Sequence, residues 1–516
     1  MDLTLDRPLL LRGKIVQPDG TGLDRYVLVE NGVIKSVSRG RPPLTRDAVL
    51  IELGHNDWIY PGLIDLHTHT DYNMLPIWET DKSPFANRFA WRGDDGYRRV
   101  VSGGHDLIVK QQRAAVAVFA ELQAIAGGTA TIQESQPLES NQSGDGNPLL
   151  CRGTGLSVDL GLGSKQILSV VDFFRPNASG DTAEPQQKKL DQYLNMRAEG
   201  SLQATLAHLA EGRSGFGNDK GVDPYSRLEF ETLMRHPAFQ DAAAVRSSPL
   251  ALIHCSGIDV DNPDHINFLR ERNISVIWSP VSNLLLYGDT LDVETLVAQG
   301  VNVALGSDWS PSGSKHLWEE AKFVRFYFEA IGSLVSDEQV FQMVTTNAAR
   351  CLGLKTVGRI EPDCFADFFI LRSPLESDNA LEVFFKTSDR DVRAVIIGGR
   401  PVYGAREFLN KFQLELQPLP RIEGAAVRNK VVHLPAHLEV NVERDFGALE
   451  SLLKTSPLKL KRNNLLVSAD TPYRERINLL RQGVVSYGWQ VQRWRRKKQK
   501  SLTGKSVGAP APPGIT

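Results

Sequence analysis

Short apolar runs, each closed by polar residues and followed by a stretch of helical spacing, recur along most of this chain. Residues 61–69, 128–133, 166–174, 201–208, 249–254 and 301–308 read as buried strands, because each is a brief hydrophobic segment bounded by turn-forming residues. Strands alternating with helices, with polar groups repeatedly at the strand ends, predict an α/β chain built as a (β/α)8 barrel of the TIM-like kind. In such a barrel the functional side chains come from the C-terminal ends of different strands. Residues 1–60 alternate more regularly and carry an Asn31-Gly32 hairpin signal. Residues 80–112 and 135–155 are rich in Gly, Asp, Ser and Asn and read as loops over the barrel mouth. Helical spacing returns near the end, around residues 446–453 and 473–480, and these stretches are expected to pack against the barrel or across a dimer contact.

Candidate chemistry sits where these runs stop. The first ends in His67-Thr68-His69, and residues i and i+2 of a strand share a side, which brings two imidazoles together. Two adjacent neutral imidazoles make a poor core and a good half of a zinc or iron site. The run at 201–208 ends in His208, with Glu211 three residues on; the run at 249–254 ends in His254; the run at 301–308 ends in Asp308. A divalent ion held by imidazoles stays electrophilic and lowers the pKa of a water from about 16 toward about 7. Glu211 would then move protons, which predicts a raised pKa in a closed site, and His254 would donate to an oxygen gaining negative charge.

The segments at 61–69 (PGLIDLHTH), 208–211 (HLAE), 253–255 (IHC), 279–283 (SPVSN) and 305–309 (LGSDW) resemble, in that order, the amidohydrolase superfamily. The resemblance is greatest to its mononuclear deaminases and triazine hydrolases, which include guanine and cytosine deaminases, and it covers roughly residues 1–405. It implies a small β-sandwich domain built from both flanks of the barrel, at 1–60 and 355–420, around a catalytic barrel at 61–354. It implies one divalent metal per chain, zinc first and iron second, held by His67, His69, His208 and Asp308. Glu211, His254 and Asp308 would be catalytic. Dinuclear relatives use a lysine at the end of a middle strand; the run at 166–174 is followed by Arg175, so one metal is expected, with Glu134 the first carboxylate to bridge a second and otherwise a substrate or loop contact. The family often continues HxxE with threonine, where this chain has Gly212. The implied reaction is hydrolysis of a carbon–nitrogen bond, with deamination of a cyclic amidine or heteroaromatic compound by metal-hydroxide attack. The alternatives are amide hydrolysis on the same metal and a non-catalytic binding protein on the same fold.

Residues just past the strand ends are the candidates for substrate contact: Gln133, Trp278, Asn283 and Trp309, the aromatics to stack on a planar ring and the amides to read its edge. Composition then bounds the rest. At 516 residues with 41% hydrophobic side chains, the chain can bury more than one core. No apolar stretch approaches a membrane span, so no membrane partner is expected. Four cysteines without CxxC spacing and an acidic N-terminus suit a reducing cytoplasm. Charge divides unevenly. Residues 421–516 hold 18 Lys/Arg against 7 Asp/Glu, so a basic extension of net +11 follows a body of net −13. The expectation is a solvated basic end, disordered from about 500, ahead of contact with nucleic acid or a neighbouring subunit. A small-molecule substrate and a homo-oligomer complete the expected partners.

Overall fold

The computed structural model describes residues 7–133, 150–155, 157, 159–218, 220–419, 429–435, 438–460, 465 and 471–503. Eight parallel strands follow one another along the chain: β1 (Leu63–Asp65), β2 (Thr129–Ile132), β3 (Arg152–Gly153), β4 (Gln166–Asp172), β5 (Leu202–Leu209), β6 (Leu250–His254), β7 (Ser275–Trp278) and β8 (Val303–Leu305). Neighbours in sequence are neighbours in space from β1 to β3 and again from β4 to β8. A parallel bridge between Thr68 and Asp308 joins the two ends of this series. There Asp308 N donates to His67 O at 2.8 Å and His69 N to Asp308 O at 3.0 Å. Between β3 and β4 the contact is made by side chains, Thr154 Oγ1 lying 2.9 Å from Ser169 Oγ. The arrangement is a TIM-barrel-type fold accompanied by a separate domain.

Strand alternation explains how the layers fill. Ile64, Ile167, Leu206, Ile253, Ile277 and Ala304, from different strands, pack together as one apolar cluster. Their chain neighbours, such as Leu252, Val276 and Leu305, pack instead with the surrounding helices. Continuous hydrophobic strands are what such two-sided burial requires.

The flanks build the second domain. Asp57–Pro61 pairs antiparallel with Phe368–Arg372, so both ends of the barrel chain enter one ten-stranded sheet. Its own core includes Leu9, Val27, Ile51, Ile370, Ile396 and Phe412. Lys430–Val432 adds a strand to this sheet beyond residue 420.

Two expectations are corrected. Residues 80–112 are not loop: they contain helices at Arg88–Arg92 and Asp95–Tyr97, a π-helical turn at Arg98–Ser102, and the start of α1 (Gly103–Ala126). Gly and Asp there act as caps, with Asp94 and Asn87 accepting backbone N–H groups. Nor is the basic extension a free end. Beyond α2 (Pro280–Tyr287) and α3 (Leu317–Ile331), α4 (Val442–Thr455) packs on α1 through Phe446 against Phe119. The final helix, α5 (Thr471–Thr503), crosses α3 with Tyr487 beside Tyr327. Its cations find acidic partners on the body, Arg495 with Glu294 at 2.6 Å and Lys498 with Asp261.

Candidate metal centre

Four strand ends converge at one mouth of the barrel. Ala204, Leu206 and His208 share one side of β5, so the alternation that fills the interior also aims His208 at the mouth. The same period carries Ala304 to Asp308 past the end of β8. His67 and His69 are not inside a strand as the sequence suggests; β1 stops at Asp65, and a bend at Leu66-His67 turns both rings toward the site. Asp65 holds that bend: its carboxylate accepts from His67 N at 3.3 Å and from Ser307 Oγ at 2.5 Å, tying β1 to β8. His254 would face outward if β6 continued, since Ile253 faces in. Left-handed backbone at His254 (φ 68°) and Cys255 (φ 55°) breaks the alternation, and Ala210 (φ 55°) and Asp308 (φ 60°) do the same elsewhere. Non-glycine residues resist that region, and strain of this kind collects at functional sites.

The donor atoms fit a cation. His67, His69 and His208 offer nitrogens within 4.8 Å of one another, and the nitrogens of His67 and His254 lie equally close to each other and to a carboxylate oxygen of Asp308. The Nε2 atoms of His67 and His208 are 3.1 Å apart, and Asp308 Oδ1 lies 3.5 Å from His67 Nε2 and 3.7 Å from His69 Nε2. Ser279 Oγ sits 2.8 Å from His67 Nδ1, the outer hydrogen bond that fixes a ligating imidazole. Burial, then the neighbouring imidazoles, hold His67 and His208 well below the ordinary histidine range; burial lowers His69 and His254 as well. All are therefore neutral lone-pair donors at pH 7. Burial also pushes Asp308 well above the carboxylate range, with the charge of Glu211 adding to it. A neutral acid among neutral imidazoles is a site whose protons a cation would displace.

Glu211 differs from expectation. Burial pushes it up, but His254, Arg88 and a hydrogen bond from Tyr287 outweigh burial, and its carboxyl lies below the ordinary glutamate range. Tyr287 OH donates to Oε1 at 2.5 Å, while Oε2 lies 3.6 Å from His254 Nε2. His254 Nδ1 faces Asn283 Oδ1 at 3.0 Å and so carries a proton.

Of the candidate substrate contacts, Trp309 stands in the mouth, 5.8 Å from the His69 ring within a wall that includes Tyr72, Trp91 and Tyr97. Asn283 orients His254. Gln133 is fully buried and accepts from Thr68 N at 3.1 Å, steadying the backbone between the two first histidines. Trp278 is not in the mouth: it is fully buried between β7 and α3, against Tyr327 and Phe328, with Nε1 donating to Thr290 Oγ1 at 2.7 Å. Alternation decides this, since Ile277 takes the inward place. His105 pairs with Asp71 and stacks on Tyr72, and His316 caps α3. Glu134 lies outside the described residues. Sequence reasoning missed Asp65, Ser279, Arg88, Trp91 and Tyr287. Tyr287 had a signal: it follows Asn283 by one helical turn, so the two share a face of α2.

A profile of the amidohydrolase family matches residues 191–402. A 5-methylthioadenosine/S-adenosylhomocysteine deaminase of Dictyoglomus turgidum is 23% identical over 412 residues, covering 74% of this chain and 90% of that protein. Among solved structures, a zinc-bound adenosine deaminase from Xanthomonas campestris superposes with a TM-score of 0.52 at 18% identity, covering 77% of this chain and 93% of that one. A zinc complex of atrazine chlorohydrolase from Arthrobacter aurescens gives 0.56 at 15% identity, covering 86% and 100%. Over residues 191–402 the chain matches the amidohydrolase family, and along most of its length it is similar to proteins named as deaminases and to solved deaminase and triazine hydrolase structures.

Proposed function

We propose that this protein is a mononuclear metal-dependent deaminase of a heteroaromatic or cyclic amidine compound. The observation that carries the reading is the single cluster of His67, His69, His208 and Asp308 with Glu211 and His254 beside it. A divalent cation held there, zinc by the chemistry of a three-imidazole, one-carboxylate donor set, would supply hydroxide at neutral pH. Glu211 is an ionised base at that pH and takes the proton of the attacking water. It delivers that proton to a ring nitrogen, and a second proton, taken from the hydroxyl that the attack leaves on the ring carbon, passes to the departing amine, which leaves as ammonia while the carbonyl forms. His254, with Nδ1–H given to Asn283, presents a bare Nε2 when neutral. Burial outweighs the neighbouring Glu211 carboxylate and holds His254 neutral, so Nε2 accepts a hydrogen bond from the attacking water rather than donating to an oxyanion. With a cation held there, Asp308 would be ionised and could accept a hydrogen bond from the water. Trp309 and the aromatic wall present flat apolar faces to a planar ring.

The resemblance to adenosine-type and guanine or cytosine deaminases directs the assay. Metal-replete protein would be offered 5-methylthioadenosine, 5'-deoxyadenosine, guanine and cytosine, and ammonia release measured. Turnover of at least one supports the reading. Hydrolysis of amides with no ammonia from any amine would replace it with the amide-hydrolase alternative.

A further inference from the structure

We propose that the short helix Arg88–Arg92 is a positioning element for Glu211, acting through two buried hydrogen-bond relays; the proposal rests on the reading of Glu211 as the proton carrier. Arg88 and Trp91 are three residues apart, share a helix face and are the two buried residues of that helix. Each starts one relay.

The first relay runs through side chains. Trp91 Nε1 donates to Tyr287 OH at 2.8 Å, and Tyr287 OH donates to Glu211 Oε1 at 2.5 Å. An indole N–H can only donate, so the tyrosine oxygen must accept there and its single proton must point to Glu211. Oε1 is thereby committed as an acceptor. The proton in transit belongs on Oε2, the oxygen that faces His254.

The second relay runs through the backbone. Arg88 Nη2 donates to Glu229 Oε1 at 2.8 Å, with Asp172 Oδ1 3.1 Å from Nη1. Glu229 Oε2 accepts from Ala210 N at 2.7 Å, at a residue held at φ 55°. Arg88 N donates to Glu211 O at 3.3 Å. The ion pair thus braces the left-handed residue immediately before Glu211.

Gly212 explains how the helix reaches the site. Asn87 pairs with Gly212 as an antiparallel bridge and donates Nδ2 to Asp223 Oδ2 at 3.1 Å. A Cβ on Gly212 would meet Ser226 Oγ at 2.4 Å and Ala86 O at 2.7 Å. The position where the family often has threonine is here occupied by the backbone of the incoming segment.

The test is kinetic and uses the metal-replete full chain, with whichever of the four amines the wild type deaminates. Tyr287→Phe should lower kcat by ~10–100-fold, leave KM within about twofold and leave metal per chain unchanged. Trp91→Phe keeps an aromatic ring and should lower kcat less, by ~3–10-fold. Because the relay is serial, the double variant should be no slower than Tyr287→Phe alone. Unchanged kcat in both single variants, or losses that multiply in the double, would overturn the relay. If Tyr287→Phe does not fold, Trp91→Phe decides alone by kcat at saturating substrate, because Trp91 also belongs to the aromatic wall and its KM can move on that account. A wild type that deaminates none of the amines but hydrolyses an amide would overturn the deaminase reading, a result distinct from failure of the relay, and the same variants would then be read on the amide.

Discussion

Burial drives the imidazoles of the cluster toward their neutral forms and Asp308 toward its acid form, and this decides what the site wants. Protons are poorly held by the histidines and tightly held by Asp308, so a divalent cation both finds lone pairs ready and gains by displacing one proton. His69→Ala should therefore cut metal affinity by ~10–100-fold or more, read as metal retained after dialysis against a weak chelator; full retention would remove His69 from the ligand set. Glu211→Gln keeps the size and the contact with Tyr287 but cannot take a proton. It should lower kcat by ~10³-fold or more with metal content unchanged, and normal turnover would show that another base serves. Much of this was legible in the sequence, because ligand residues sit at strand ends and strand ends can be found from hydrophobicity. What was not legible is contact between distant segments. Trp91 and Tyr287 are separated by almost two hundred residues, and no local pattern announces their hydrogen bond. Trp278 was misplaced for a different reason: the strand was found, but the inward and outward sides of β7 were not assigned.

Elements show the same division. Apolar runs revealed the strands of the barrel, whereas Gly- and Asp-rich composition hid the helices between 88 and 126, since those residues serve both as loop formers and as caps. The C-terminal helix was half visible. Its apolar spacing announced a helix, but its charge suggested a solvated end. In the structure, Tyr487 OH donates to Phe216 O at 2.7 Å, and Lys315 N donates to Tyr473 OH at 3.2 Å. These contacts fasten α5 to the segments that follow Glu211 and Asp308. Gly488 lies where α5 crosses α3, and a Cβ there would meet Ala330 O at 2.3 Å. In an exposed helix, glycine to alanine stabilises by up to about 1 kcal/mol. Here Gly488→Ala should instead destabilise by about 1–3 kcal/mol, because the clash is with backbone. Urea unfolding monitored by circular dichroism reads the sign, and a stabilised variant would mean that α5 is not seated as described.

For the whole molecule, the barrel and the flanking sheet are held by continuous apolar packing, and the buried charges make stability depend on pH. Glu320 on α3 accepts from Val281 N at 3.0 Å and from Ser314 Oγ, and burial pushes its carboxyl up to about 8 from 4.5. Because the folded value is raised, the folded state holds this proton more tightly than the unfolded chain does. Stability contributed by the protonated form is full below about pH 4.5 and is lost as pH rises toward 8. Glu320→Gln should therefore narrow the difference between unfolding midpoints at pH 6 and pH 8.5; an unchanged difference would show that Glu320 is ionised throughout.

The division of charge between body and extension was plain from the residues, but its resolution by ion pairs such as Arg495–Glu294 needed the fold. The central claim is that one cation sits where His67, His69, His208 and Asp308 meet. Elemental analysis of protein purified without chelator tests it most directly. The account predicts about one zinc or iron per chain. Two per chain, or none even after zinc is added back, would contradict it.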